Sequence, residues 1–113
     1  MDIDRWRARI DEIDEEIVRL LNERVRCALE IGQIKRRNRQ EIYDPARERR
    51  ILERVISMST GPLTEEAIRR LYACIMDESR RLERRQAEED DAGKDGVAPP
   101  SKEPSKGRKS RRA

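Results

Sequence analysis

The first third of the chain carries apolar residues at alternating steps of three and four positions. Within residues 3–38 the positions that share this spacing are Ile3, Trp6, Ile10, Ile13, Ile17, Leu20, Cys27, Ile31 and Ile34. The spacing places them along one face of an α-helix. At 1.5 Å per residue, that helix is about 50 Å long. So long a helix leaves a small chain little material with which to cover its own apolar face.

Two further helices are predicted after it. Asp44-Pro45 supplies a side-chain cap followed by proline at the first helical position, and Gly61-Pro62 ends the second helix. Thr64 is a candidate cap for a third helix, which we expect to fade near Gln86. No segment shows the alternation of a β-strand. The sequence therefore predicts an all-α domain over residues 1–86.

The composition changes after this domain. Residues 87–113 are rich in charged residues, glycine and proline, and Val97 is their only large apolar residue. Such a segment buries too little surface to offset the entropy of ordering, so we expect a disordered tail. Six basic residues within positions 102–112 leave contact with nucleic acid open. A solubilising tail is the favoured interpretation, because no aromatic residues interleave the basic ones.

Composition also limits the chemistry. The chain has 113 residues, 45% of them charged, and contains no histidine. The missing histidine excludes Ser-His and Cys-His nucleophile pairs and most zinc sites. Cys27 and Cys74 lack metal-ligand spacing, and we interpret them as reduced. With no apolar run long enough for a membrane span and no secretory signal at the N-terminus, we expect a cytoplasmic protein.

The predicted helices also bear on assembly. A second and a third helix laid end to end could cover one side of the first helix, which gives a single thin layer. A domain this small and thin is marginal on its own. We therefore expect an obligate dimer in which long helices cross between the subunits.

Charged and polar residues interrupt the apolar stripes at several points. These residues are Arg24, Lys35, Arg47, Glu48, Ser79 and Glu83. A buried charge without a partner costs several kcal/mol, so each must be paired or bound to a ligand. Internal ion pairs, such as Arg24 with Glu83 and Lys35 with Glu48, are one interpretation. The other is a pocket for a small dianion, because the planar fork of arginine grips a carboxylate through two hydrogen bonds.

Several short motifs follow one another at characteristic spacings. They are Trp6-Arg7-Ala8-Arg9-Ile10-Asp11-Glu12-Ile13-Asp14, Leu20-Leu21-Asn22-Glu23-Arg24, Ile31-Gly32-Gln33-Ile34-Lys35, Tyr43-Asp44-Pro45-Ala46-Arg47-Glu48, Gly61-Pro62-Leu63 and Ile75-Met76-Asp77-Glu78-Ser79. In this order they resemble the all-α class of chorismate mutases over about residues 3–86. The resemblance implies an intertwined homodimer of three-helix protomers. It further implies the Claisen rearrangement of chorismate to prephenate without cofactor or metal.

The resemblance also implies roles for individual residues. Arg7 matches the arginine that enters the active site of the other protomer and holds a substrate carboxylate. Arg24 matches the second carboxylate-binding arginine. Lys35 matches the catalytic cation that donates to the ether oxygen and to a carboxylate.

Four more residues match the same family pocket. Glu48 matches the acceptor of the ring hydroxyl, and Arg47 matches its neighbour near the substrate. Asp44 and Ser79 match positions that line the pocket.

Glu83 departs from the pattern of many family members, which have glutamine four residues after the serine as a donor to the ether oxygen. An ionised carboxylate only accepts hydrogen bonds and would repel the developing negative charge. Either burial keeps Glu83 protonated, or the residue does not perform this role. Some members of the class use glutamate here, so Glu83 stays among the predicted catalytic residues.

Other activities are compatible with the same pattern. An isochorismate pyruvate-lyase or an aminodeoxychorismate mutase would reuse the two arginines and Lys35 on the same scaffold. A helical interaction module that binds nucleic acid through the tail is the alternative of a different class. Its weakness is the net charge of only +3, which does not demand a polyanionic partner. Chorismate mutase is the favoured interpretation.

Overall fold

The computed structural model describes residues 2–94, which form three α-helices and, within that range, no β-strand. Helix α1 spans Ile3–Arg37, α2 spans Pro45–Met58 and α3 spans Glu65–Lys94. The predicted all-α class is confirmed. None of these three helices is both long and apolar enough to cross a membrane.

Both predicted helix caps are present. The Asp44 carboxylate accepts a hydrogen bond from the Arg47 backbone N–H at 3.1 Å, with Pro45 as the first residue of α2. The Thr64 hydroxyl accepts from the Ala67 backbone N–H at 3.1 Å. Each cap satisfies an N–H group that has no partner inside the helix, which is why local sequence located both helix starts.

Helix α3 continues past Gln86, where the prediction had it fade, and ends at Lys94. Residues 87–94 are therefore helical, and their assignment to a disordered tail was wrong. Asp90 in this extension accepts a hydrogen bond at 2.5 Å from Arg36, in the last turn of α1. This ion pair joins helix ends that lie far apart in sequence, so no local pattern signals it. The predictions made for residues 95–113 fall outside the described residues.

The three helices form a thin layer of 60 × 37 × 16 Å in which α3 packs against both α1 and α2. Ile68 and Met76, both on α3, are the buried apolar residues of the described chain. The apolar residues of the first half of α1 keep 40–65% of their surface exposed; they are Ile3, Trp6, Ile10, Ile13 and Ile17. Residues 2–94 thus leave the apolar stripe in the first half of α1 largely uncovered.

Gly32 is the buried residue of α1, at a contact with α3. A Cβ atom on Gly32 would lie 3.3 Å from Cγ of Glu83, closer than an ordinary van der Waals contact. The missing side chain therefore lets the Glu83 side chain lie directly against α1.

Replacing Gly32 with valine should destabilise the fold by about 1–3 kcal/mol, because the added side chain must displace Glu83 or separate the two helices. Urea unfolding followed by circular dichroism measures the change. The matched control is Arg26→Val, which places the same β-branched residue at an exposed position of α1. Equal stability of the two variants would contradict the close contact at Gly32.

Candidate active site

A cavity of about 240 Å³ lies where the C-terminal half of α1 meets α2 and α3. Its charged and polar lining residues are Arg24, Lys35, Asp44, Arg47, Glu48, Ser79, Arg80 and Glu83. The remaining lining residues are Cys27, Ala28, Ile31, Ile42, Ile51 and Met76. Every predicted site residue except Arg7 therefore lines one cavity.

Arg24 is held at the cavity wall by two residues of α3. Its Nη1 donates a hydrogen bond at 3.5 Å to Oγ of the buried Ser79. Its guanidinium carbon also lies 5.9 Å from the centre of the Tyr72 ring, within the range of a cation–π interaction. Both residues can contact Arg24 because Ser79 lies two turns after Tyr72 on the same face of α3.

Lys35 lies in the last turn of α1 and is partly buried. Its ammonium donates one hydrogen bond, at 3.0 Å, to the backbone carbonyl of Ile42 in the loop before α2. An ammonium group has three N–H donors, so this contact orients Lys35 and leaves donors for a ligand.

Glu48 on α2 forms a charged hydrogen bond with Arg80 on α3. Arg80 was not among the predicted site residues. A signal was available, because Arg80 follows Met76 by four positions and precedes Glu83 by three, which places all three on one helix face.

The ion pairs considered from the sequence are not the ones that form. Arg24 donates to Ser79 rather than to Glu83. Lys35 donates to the Ile42 carbonyl, and Glu48 pairs with Arg80. The pairing differs because the sequence shows which residues share a helix face but not how the helices are aligned against one another.

Glu83 is buried, with 8% of its surface exposed. Burial raises the pKa of Glu83, since it disfavours the charged carboxylate. Positive charges on Lys35, Arg80 and Arg84 oppose this effect on the pKa, and the nearby Glu48 carboxylate adds to it. The protonated form of Glu83, which can donate a hydrogen bond, therefore persists to higher pH than that of an exposed glutamate.

Asp44 and Arg47 lie at the start of α2. The Asp44 carboxylate caps the helix by accepting from the Arg47 backbone N–H, so one of its oxygens is committed to structure. The Arg47 side chain is exposed at the edge of the cavity. Its guanidinium places a further positive charge there.

Arg7 lies elsewhere in the chain. It lines a shallow recess together with Asp2, Ile3 and Asp4 near the start of α1. Arg24 follows it by 17 positions on the same helix, which corresponds to about 25 Å along the axis. A single chain does not bring Arg7 to the cavity.

The cavity combines arginine and lysine donors with a buried carboxyl group and an apolar wall. Such a set suits a small dianion with an apolar body, because each guanidinium can bind a carboxylate through two hydrogen bonds. Within residues 2–94 there is no group of three or more Cys, Asp or Glu side chains placed to hold a metal ion.

Comparison with known proteins agrees with this chemistry. The profile of the family "Chorismate mutase type II" matches residues 6–84. The bifunctional chorismate mutase/prephenate dehydratase of Neisseria gonorrhoeae is 43% identical over 75 residues, covering 66% of this chain and 20% of that protein. The corresponding Aquifex aeolicus protein is 40% identical over 83 residues, covering 70% and 23%. The chain thus spans about a fifth of the length of these relatives.

Solved structures resemble the fold over most of its length. Form II of the chorismate mutase from Thermus thermophilus aligns with a TM-score of 0.73 and 38% identity, covering 74% of this chain and 96% of that one. The Helicobacter pylori chorismate mutase in complex with prephenate aligns with a TM-score of 0.72 and 32% identity, covering 77% and 94%. With the profile match over residues 6–84, these similarities show that the chain belongs to the chorismate mutase type II family.

Proposed function

We propose that the protein catalyses the rearrangement of chorismate to prephenate, on the branch that leads to phenylalanine and tyrosine. The observation that carries the proposal is the meeting of Arg24, Lys35 and the buried Glu83 in one small cavity. Membership of a family that includes a chorismate mutase solved with prephenate supports the assignment.

The reaction is pericyclic and intramolecular, so it needs no nucleophile, no proton transfer and no cofactor. The enzyme has to hold the flexible enolpyruvyl ether in its compact reactive conformation, which is an effect of orientation. It also has to stabilise negative charge on the ether oxygen as the C–O bond breaks, with donors already in place. A site without histidine can meet both requirements.

The site residues divide these tasks. Arg24 binds one substrate carboxylate. Lys35 donates to the ether oxygen and to a carboxylate, which its spare N–H groups allow. Glu83, when protonated, is the second donor to the ether oxygen.

The residues of α2 and Ser79 bind the rest of the substrate. Glu48 accepts a hydrogen bond from the ring hydroxyl, and Arg47 adds positive charge at the cavity edge. Asp44 shapes the wall while it caps α2. Ser79 lines the pocket and anchors Arg24.

A second copy of the chain completes the site in this proposal. The exposed stripe from Ile3 to Ile17 is an apolar face of the kind that marks a protein interface. Arg7 lies on the same half of α1, too far from the cavity of its own chain. An intertwined homodimer would cover the stripe and bring Arg7 of each protomer to the cavity of the other. Its two active sites would be equivalent by symmetry.

Purified protein should consume chorismate, measured as loss of its ultraviolet absorbance, and should yield prephenate. Lys35→Ala should lower kcat about 100-fold, because it removes one preorganised donor to the developing negative charge. The matched control is Arg37→Ala, an exposed cation two residues later in α1, which should keep wild-type activity. Release of pyruvate from isochorismate, or turnover of aminodeoxychorismate, without turnover of chorismate would overturn the proposal.

The activity should rise as the pH falls from about 8 to about 5, because protonation of Glu83 supplies the second donor. Burial raises the pKa of Glu83, so the gain begins at a higher pH than for an exposed glutamate. Glu83→Gln, which donates at every pH, should flatten the profile of kcat. A wild-type kcat that increases with pH over this range would show that ionised Glu83 is the active form.

A further inference from the structure

We propose that Arg80 is a positioning residue for this reaction. Its guanidinium holds the Glu48 carboxylate at the cavity wall and places a positive charge near Glu83. The inference rests on the proposed function, because it concerns how two carboxyl groups in one site take different roles. It assigns to Arg80 a task that the sequence motifs do not indicate.

The first observation is the number of groups that hold the Arg80 guanidinium. It donates to Glu48 on α2 and, at 3.1 Å, to Oδ1 of Asp77 one turn earlier on α3. Its Cζ lies 4.9 Å from the centre of the Tyr43 ring, in the loop before α2. Only 20% of the side chain is exposed. Arg80 therefore has little freedom to turn toward solvent.

This arrangement of Arg80 also fixes Glu48. A carboxylate bonded to a guanidinium keeps a fixed orientation. An ionised carboxylate can only accept hydrogen bonds. Glu48 needs this orientation if it is to accept a hydrogen bond from the substrate's ring hydroxyl. Arg80 thus orients Glu48 from outside the substrate contacts.

The second observation concerns Glu83, which follows Arg80 by three residues and so lies on the same helix face. The charged groups near Glu83 come from all three helices: Lys35 on α1, Glu48 on α2, and Arg80 and Arg84 on α3. Arg80 affects the ionisation of Glu83 in two ways. Its own positive charge favours ionised Glu83, and its pairing with Glu48 offsets the negative charge that disfavours it.

The pair Arg80–Glu48 therefore acts on the two carboxyl groups in different ways. Glu48 is held in place as an acceptor by Arg80. Glu83 takes up a proton because it is buried, and the positive charge of Arg80 opposes that uptake. Loss of the Arg80 charge should leave Glu48 without its partner. It should also raise the pKa of Glu83, because the positive charge that favours the ionised form of Glu83 is gone.

The test compares Arg80→Met with wild type and with Arg81→Met in the full-length protein. Arg81 is the matched control because it also pairs with Asp77, at 3.0 Å, yet is exposed and lies outside the cavity lining. Arg80→Met should raise KM for chorismate about tenfold, since Glu48 is no longer oriented. It should also shift the decrease of kcat that accompanies rising pH to a higher pH. Arg81→Met should do neither.

Two further variants separate positioning from packing. Arg80→Lys keeps the positive charge but loses the guanidinium, whose two nitrogens bond Glu48 and Asp77. It should therefore raise KM, while kcat should decrease over the same pH range as in wild type. It also tests the proposal if Arg80→Met does not fold. In the background of Glu83→Gln, Arg80→Met should raise KM without any shift of the pH profile, because the titrating group is gone.

Carbon-13 NMR titration of the glutamate carboxyl groups without substrate gives a readout independent of activity. The Glu83 resonance should titrate at higher pH in Arg80→Met than in wild type or Arg81→Met. Coincident Glu83 titrations, or a pH profile unmoved in an active Arg80→Met enzyme, would overturn the role of Arg80. A wild-type protein that leaves chorismate unchanged would instead overturn the proposed function.

Discussion

The apolar stripe along the first half of α1 has no partner within residues 2–94, and the proposed assembly and site both follow from that fact. Helix α3 covers the second half of α1 and α2 packs against α3, which leaves a layer 16 Å thick with two buried apolar residues in its described part. A layer so thin buries little apolar surface, which favours assembly with a second copy. The same α1 carries Arg7 at its uncovered end and Arg24 and Lys35 at its covered end. In the proposed homodimer, one contact would serve both stability and chemistry.

The cavity shows how a site without histidine can do chemistry. Its cations are fixed by the fold before a ligand arrives: Arg24 by Ser79 and Tyr72, and Lys35 by the Ile42 carbonyl. Donors held in this way need no reorganisation when charge develops on a substrate, which is the main source of electrostatic catalysis. The same arrangement buries a titratable group, Glu83, and this burial raises the pKa of Glu83.

Local physical chemistry explains which features were predictable. Asp44 and Thr64 cap helices through hydrogen bonds within three residues, and periodic spacing placed Arg24 and Lys35 on one face. Contacts between helices were not predictable in the same way. The pairing of Glu48 with Arg80 depends on how α2 is aligned against α3. The extension of α3 to Lys94 is likewise accompanied by a contact with α1.

The central claim is that each active site takes Arg7 from one protomer and Lys35 from the other. It is tested most directly by refolding a mixture of two differently tagged inactive variants, Arg7→Ala and Lys35→Ala, and assaying the isolated heterodimer for chorismate turnover. One of its two sites would be intact and the other doubly defective, so the isolated heterodimer should recover about half of wild-type activity. An equal unfractionated mixture, in which about half of the dimers are heterodimers, should recover about a quarter. Activity of the isolated heterodimer no higher than that of either variant alone would contradict the shared site.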